Sequence, residues 1–115
     1  MKYSGSCHCQ KVKFTVDGDI EKAIECNCSI CAKRGSLLAF VPEEKFELLS
    51  GEQDLTDYQF GKKRIHHLFC NTCGILSFGA GTGNDGKPGR AINIRCLDNF
   101  DIDQVKVVEF DGKSM

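Results

Sequence analysis

Three cysteines, Cys26, Cys28 and Cys31, stand within six positions in the stretch CNCSIC, and no fourth ligand-type residue follows them. Thiolates at this spacing suit zinc, which takes four donors in a tetrahedron. A set of three is either a structural site closed by a ligand from elsewhere or an open site whose fourth position takes water or substrate. A second group of cysteines bears on the choice. In FCNTCG, Cys70 and Cys73 are followed by Gly74, the pattern of a metal knuckle in which backbone N–H groups turn toward the sulfurs and glycine relieves the tight turn. In SCHCQ, Cys7 and Cys9 stand at i and i+2, so in an extended strand both sulfurs project from one side and His8 from the other. Cys7, Cys9, Cys70 and Cys73 together make a closed four-thiolate structural site across a long loop. Cys26, Cys28 and Cys31 are then left as the open, catalytic set.

Spacing alone leaves alternatives. Cys96 in IRCLD, or His66 or His67, would close the three-cysteine set and make it a second structural site. A different allocation puts Cys7, Cys9, Cys26 and Cys28 on one metal and strands Cys31. Cys96, alone at the end of an apolar strand, reads first as a buried thiol. His8 reads as a surface or packing residue. His66 and His67 alternate across a strand, so at most one faces any given site, and both are expected to be solvated. Lys33 with Arg34, and GKKR at 61–64, read as exposed turn charges. Near a pocket, such pairs would hold the carboxylates of a small anionic thiol.

Composition narrows the classes. The 115 residues are expected to form one domain, 1–115, with a single core. The start of the chain, MKYSGSCHCQKVKF, has no apolar core of a secretory signal, which predicts a cytoplasmic location and reduced thiols. Eight cysteines in such a compartment point to metal ligation rather than disulfides. Two zinc ions on seven thiolates would move the formal charge from −1 to about −4. The charge shows no basic excess of the kind nucleic-acid binders carry, and the longest apolar run, LLAFV, is too short to span a bilayer. Neither nucleic acid nor membrane is expected as a partner, and the oligomeric state is left open.

The elements that must position these residues read as mainly β. Twelve glycines punctuate short apolar alternations. In KVKFTV, Val12, Phe14 and Val16 share one face of a half-buried strand. Further strands are predicted at 23–26, 37–41, 46–50, 55–60, 65–69, 75–79, 91–95 and 105–110. Only SICAKRG reads as helical, with Ser29 as N-cap and Gly35 as its stop. The glycine-rich 79–90 segment, GAGTGNDGKPGR, reads as a loop, either a surface loop or a lid.

The ordered motifs GSCHC, CNCSICAKRG, YQFGKKRIHHLFCNTCG, INIRCLD and the closing FDGKSM resemble the glutathione-dependent formaldehyde-activating enzyme family, the CENP-V/GFA domain, over nearly the whole chain. Gln10 departs from it, standing where family members often have glycine. The resemblance implies a β-tent of small antiparallel sheets organised around zinc, with one short helix. It implies a structural zinc on Cys7, Cys9, Cys70 and Cys73 and a catalytic zinc on Cys26, Cys28 and Cys31. The implied activity is a carbon–sulfur lyase resembling S-(hydroxymethyl)glutathione synthase, acting on a glutathione–aldehyde or related small adduct. The alternative is a non-catalytic domain with two structural zincs that binds a partner.

Overall fold

Phe14 and Val16 alternate inward along a strand whose other residues face out, and this pattern builds one wall of the core. The computed structural model describes residues 2–61, 63, 65–83 and 86–111. Strands β1 (Lys2–Ser6), β2 (Lys13–Asp17) and β5 (Phe46–Ser50) form an antiparallel sheet in the order β1-β2-β5. A seven-stranded sheet contains β3 (Lys22–Cys26), β4 (Leu38–Pro42), β6 (Leu55–Tyr58), β7 (His66–Cys70), β8 (Leu76–Thr82), β9 (Pro88–Asn93) and β10 (Lys106–Phe110). Its order is β10-β3-β4-β9-β8-β7-β6.

The core lies between the two sheets. Phe14 and Val16 from the small sheet, with Val12 just before β2, meet Ala39, Phe78 and Ile92 from the large one, all buried. Three rings clamp the layers: Phe46 lies 4.6 Å from Phe78 and 5.6 Å from Phe14, centroid to centroid. Each buried phenyl ring contributes roughly 1.5–3 kcal/mol against leaving it in water. At the edge of this layer Arg90 lies over the Phe46 ring and 3.8 Å from Glu43.

The mainly β reading and the single short helix hold, and several boundaries move. The SCHCQ segment is not an extended strand. β1 ends at Ser6, and His8–Gln10 form a turn in which the Gln10 N–H donates to the Cys7 carbonyl and the Cys7 N–H to that of Val12. The 79–90 segment is not a loop. Most of it is the hairpin of β8 and β9, with Gly81 opposite Gly89, and the turn at 83–87 is closed by the Gly83 N–H on the Lys87 carbonyl. Asn84 and Asp85 lie outside the described residues, as do Lys62 and Arg64 of GKKR and the last four residues of FDGKSM. Glycines usually weaken strands, but here β4 and β7 flank both partners, and the continuous ladder overrides local propensity. The strand predicted at 91–95 ends at Asn93, where the chain tightens into a 3-10 turn, Ile94–Cys96. One pair is parallel: β10 lies alongside β3, which a chain arriving by a crossover rather than a hairpin permits.

The single α-helix among the described residues, α1 (Ser29–Arg34), follows β3 after two residues. Cys28, not Ser29, occupies the N-cap position, so its extended backbone keeps its sulfur on the Cys26 side. Gly35 terminates the helix in the left-handed region at φ 73°, with its N–H on the Cys31 carbonyl.

Candidate metal centre

Two turns bring four thiols together. Cys70 is the last residue of β7. The Gly74 N–H donates back to its carbonyl at 2.8 Å, and the Thr72 N–H points at its sulfur at 3.4 Å. Gly74 sits at φ 80°, the left-handed position that the knuckle requires. On the facing turn the Val12 N–H is directed at the Cys7 sulfur, also at 3.4 Å. The Cys9 sulfur lies 3.6 Å from both Cys7 and Cys70, and the four sulfurs of Cys7, Cys9, Cys70 and Cys73 fall within 4.8 Å of one another. Thiolates bound at ~2.3 Å to one tetrahedral ion sit roughly 3.8 Å apart, so this set fits a closed metal site.

The second group is built at one strand end and one helix start. Cys26 ends β3, Cys28 caps α1, and Cys31 turns back from the helix; their sulfurs also lie within 4.8 Å. The Cys28 N–H is directed at the Cys26 sulfur at 3.4 Å. Among the described residues no fourth cysteine, histidine or carboxylate joins this group.

The electrostatics divide the thiols. Burial, with Cys28 and Cys26 alongside, pushes the Cys31 thiol up to about 12. Burial acts on Cys28 in the same direction, but the Cys31 N–H, the neighbouring thiols and the Ile30 N–H outweigh it and bring Cys28 below its ordinary value. In the four-thiol group burial opposes ionisation of Cys73. The N–H groups of Cys9 and Ile75, with the Cys70 and Cys7 thiols, nonetheless draw it down to about 6.

The alternative ligands do not reach the open set. Cys96 is half-buried with its sulfur 3.7 Å from the Leu76 carbonyl, and it belongs to neither group. His66 pairs with Asp57 at 2.6 Å. His67 is half-buried rather than solvated and stacks on Phe60 at 5.4 Å between centroids. Cys7 and Cys9 gather with Cys70 and Cys73, not with Cys26 and Cys28.

With two cysteine groups in place, comparison with known proteins becomes informative. Residues 2–109 match the family described as glutathione-dependent formaldehyde-activating enzyme. The chain belongs to this family. It also resembles a protein from Rhodobacter sphaeroides whose crystal structure is known. The two are 28% identical, with a TM-score of 0.79 over 91% of this chain and 99% of that one.

In this family member a cavity of about 510 Å³ is lined by Cys7, Arg34 and Ser36, and by none of Cys26, Cys28 and Cys31. A second, of about 680 Å³, is lined by Cys26 and Cys31. Arg95 and Gly35 line both. Sequence reasoning singled out Arg34 but passed over Arg95 and Ser36. Arg95 stands in a turn that read as strand, and Ser36 directly follows the residue that stops the helix. A polar residue wedged between Gly35 and the apolar LLAFV run was the available signal for Ser36.

Proposed function

We propose that this chain is a zinc-dependent carbon–sulfur lyase. It would join a small thiol to an aldehyde, or release the pair, at Cys26, Cys28 and Cys31, with residues 1–115 acting as one unit. The observation that carries this reading is the difference in ligand count between four gathered thiols in one group and three in the other. Catalytic zinc sites keep a position open where structural sites are closed. A zinc ion there would supply that open position and hold a thiol in its deprotonated form.

The reaction needs little else from the chain. The thiol sulfur adds to the carbonyl carbon, one C–S bond forms, and the thiol proton ends on the former carbonyl oxygen; the reverse breaks the same bond. The fold contributes proximity, since holding both reactants in one cavity replaces a bimolecular encounter. The family description supports glutathione as the thiol and formaldehyde as the aldehyde. Cys7, Cys9, Cys70 and Cys73 are assigned a structural zinc. Unpaired cysteines at all eight positions fit a reducing compartment such as the cytoplasm. Among the described residues no helix is long and apolar enough to cross a membrane.

The test is Cys28→Ser in zinc-loaded protein, with adduct formation and thermal unfolding measured side by side. Loss of turnover with an unchanged melting transition supports the lyase. Full activity, or an unfolded variant, counts against it. Two tightly held zinc ions in closed coordination, with no response to glutathione or formaldehyde, would identify a partner-binding domain instead.

A further inference from the structure

The small sheet covers only part of the large one. Its order is β1-β2-β5, so β5 is an edge strand, and among the described residues no strand pairs with its outer side. The opposite edge, β1, is partly covered: Gly5 bridges to Leu97, and the Asp98 N–H donates to the Ser4 carbonyl. Phe46 on β5 stands over Phe78 on β8, while the next strands of the large sheet, β7 and β6, carry Leu68 and Leu55 packed against the core but only half-buried. Between them lies a cleft of about 670 Å³ with Phe46, Leu48, Leu55 and Leu68 among its walls. Its lining comes from β5 and the turns flanking it on one side and from β6 to β9 on the other, with nothing from β1 or β2, which places it on the free side of β5. No cysteine lines it.

The rim of this cleft is acidic. Between positions 43 and 54 five acidic residues stand against one lysine, a formal charge of −4 within a chain whose whole formal charge is −1. Glu43 and Glu44 precede β5, Glu52 follows it, and all three line the cleft and are exposed. Arg90 is the only cation among the described lining residues, and it is already engaged by Glu43 at 3.8 Å and by the Phe46 ring. Glu44 and Glu52 have no ion pair among the described residues.

A free strand edge, an apolar cleft beside it and an acidic rim have one common complement, an extended segment in which apolar and basic residues alternate. Added to β5, such a segment sends its apolar side chains into the cleft over Leu55 and Leu68, because successive side chains of a strand point to opposite faces. Its basic side chains then face Glu47 across the new pair, and Glu44 and Glu52 at either end. Pairing begins after Phe46, whose N–H the Glu43 carbonyl already holds. Charges on an edge strand ordinarily keep it from pairing with copies of itself. A second β5 would bring the same glutamates alongside and be repelled, whereas a basic strand is attracted by them.

We propose that β5 and the acidic cleft beside it form a docking site for a basic, extended segment of a partner protein, which adds a fourth strand to the small sheet. The site is separate from the cysteine groups and stands whether or not they catalyse a reaction.

The probe is a capped heptapeptide, KVKVKVK, titrated into the zinc-loaded full chain and followed by NMR. Saturable shifts of the backbone amides at 47–50 and of the Leu55 and Leu68 methyls are expected, with Overhauser contacts between the peptide backbone and β5. The same peptide with its central valine replaced by proline keeps the charge but cannot complete the ladder, and is expected to bind about tenfold more weakly or worse. Glu44→Gln combined with Glu52→Gln, both at exposed positions, should weaken binding by about 5- to 20-fold at low salt, as two exposed ion pairs supply, and leave amide shifts remote from the cleft unchanged. Equal affinity for the valine and proline peptides would reduce the effect to diffuse charge attraction and overturn the proposal. Shifts scattered over other acidic residues, or no saturation, would overturn it as well. So would shifts at 47–50 that follow protein concentration with no peptide present, since the occupant would then be a second copy of the chain.

Discussion

The gathered thiols do not titrate alike, and that difference is testable one residue at a time. Cys28 lies below the ordinary thiol value, while Cys31 lies near 12 because it is buried against its neighbours. In protein briefly stripped of metal at pH 7.5, iodoacetamide is therefore expected to modify Cys28 well before Cys31. Peptide mass spectrometry reads the order, and equal rates would contradict it. His67 supplies a second prediction. Burial, then the charge of Arg34, holds its imidazole below the usual value, so the unfolded chain takes up a proton near pH 6.5 that the folded protein refuses. Its contribution is complete above that pH and is lost as pH falls toward the depressed folded value. His67→Gln should flatten the fall in urea midpoint between pH 7.5 and 5, and parallel profiles would refute the assignment. The cysteines were legible in sequence because metal ligation imposes short, fixed spacings. Arg95 was not, because its approach to the cavity that Arg34 lines depends on how a helix end meets a turn sixty residues away, which no local pattern encodes.

Turns rather than strands hold the sulfurs, and their backbone conformations carry the next predictions. Gly74 occupies the left-handed region with open space around its missing side chain, so Gly74→Ala should destabilise by about 1–2 kcal/mol from conformation alone. Gln10 carries the same strain in the facing turn at φ 68°. Its replacement, Gln10→Gly, should raise stability by up to about 1 kcal/mol, since glycine enters this region freely. Urea denaturation measures both, and a loss on Gln10→Gly would show that its side chain supports the turn. The strands at 23–26, 46–50 and 105–110 were legible to within a residue because each is a short apolar run between turn signals. The β8–β9 hairpin was misread because its glycines look like loop punctuation. It is held as sheet by two flanking strands, which are visible only in the assembled fold.

Across the molecule, the four-thiol group ties the turn after β1 in the small sheet to the knuckle after β7 in the large one, 61 positions apart at Cys9 and Cys70. A metal clip at this point restrains both sheets around the shared phenylalanine core. Chelation should therefore produce a large drop in melting temperature that Cys73→Ser reproduces and Cys28→Ser does not. The central claim is the difference in coordination between the two groups, which zinc-edge X-ray absorption of the two-zinc protein measures directly. The account predicts about 3.5 sulfurs per zinc on average without substrate, rising to about 4 when glutathione is added. Four sulfurs per zinc at the outset, unchanged by the thiol, would contradict it.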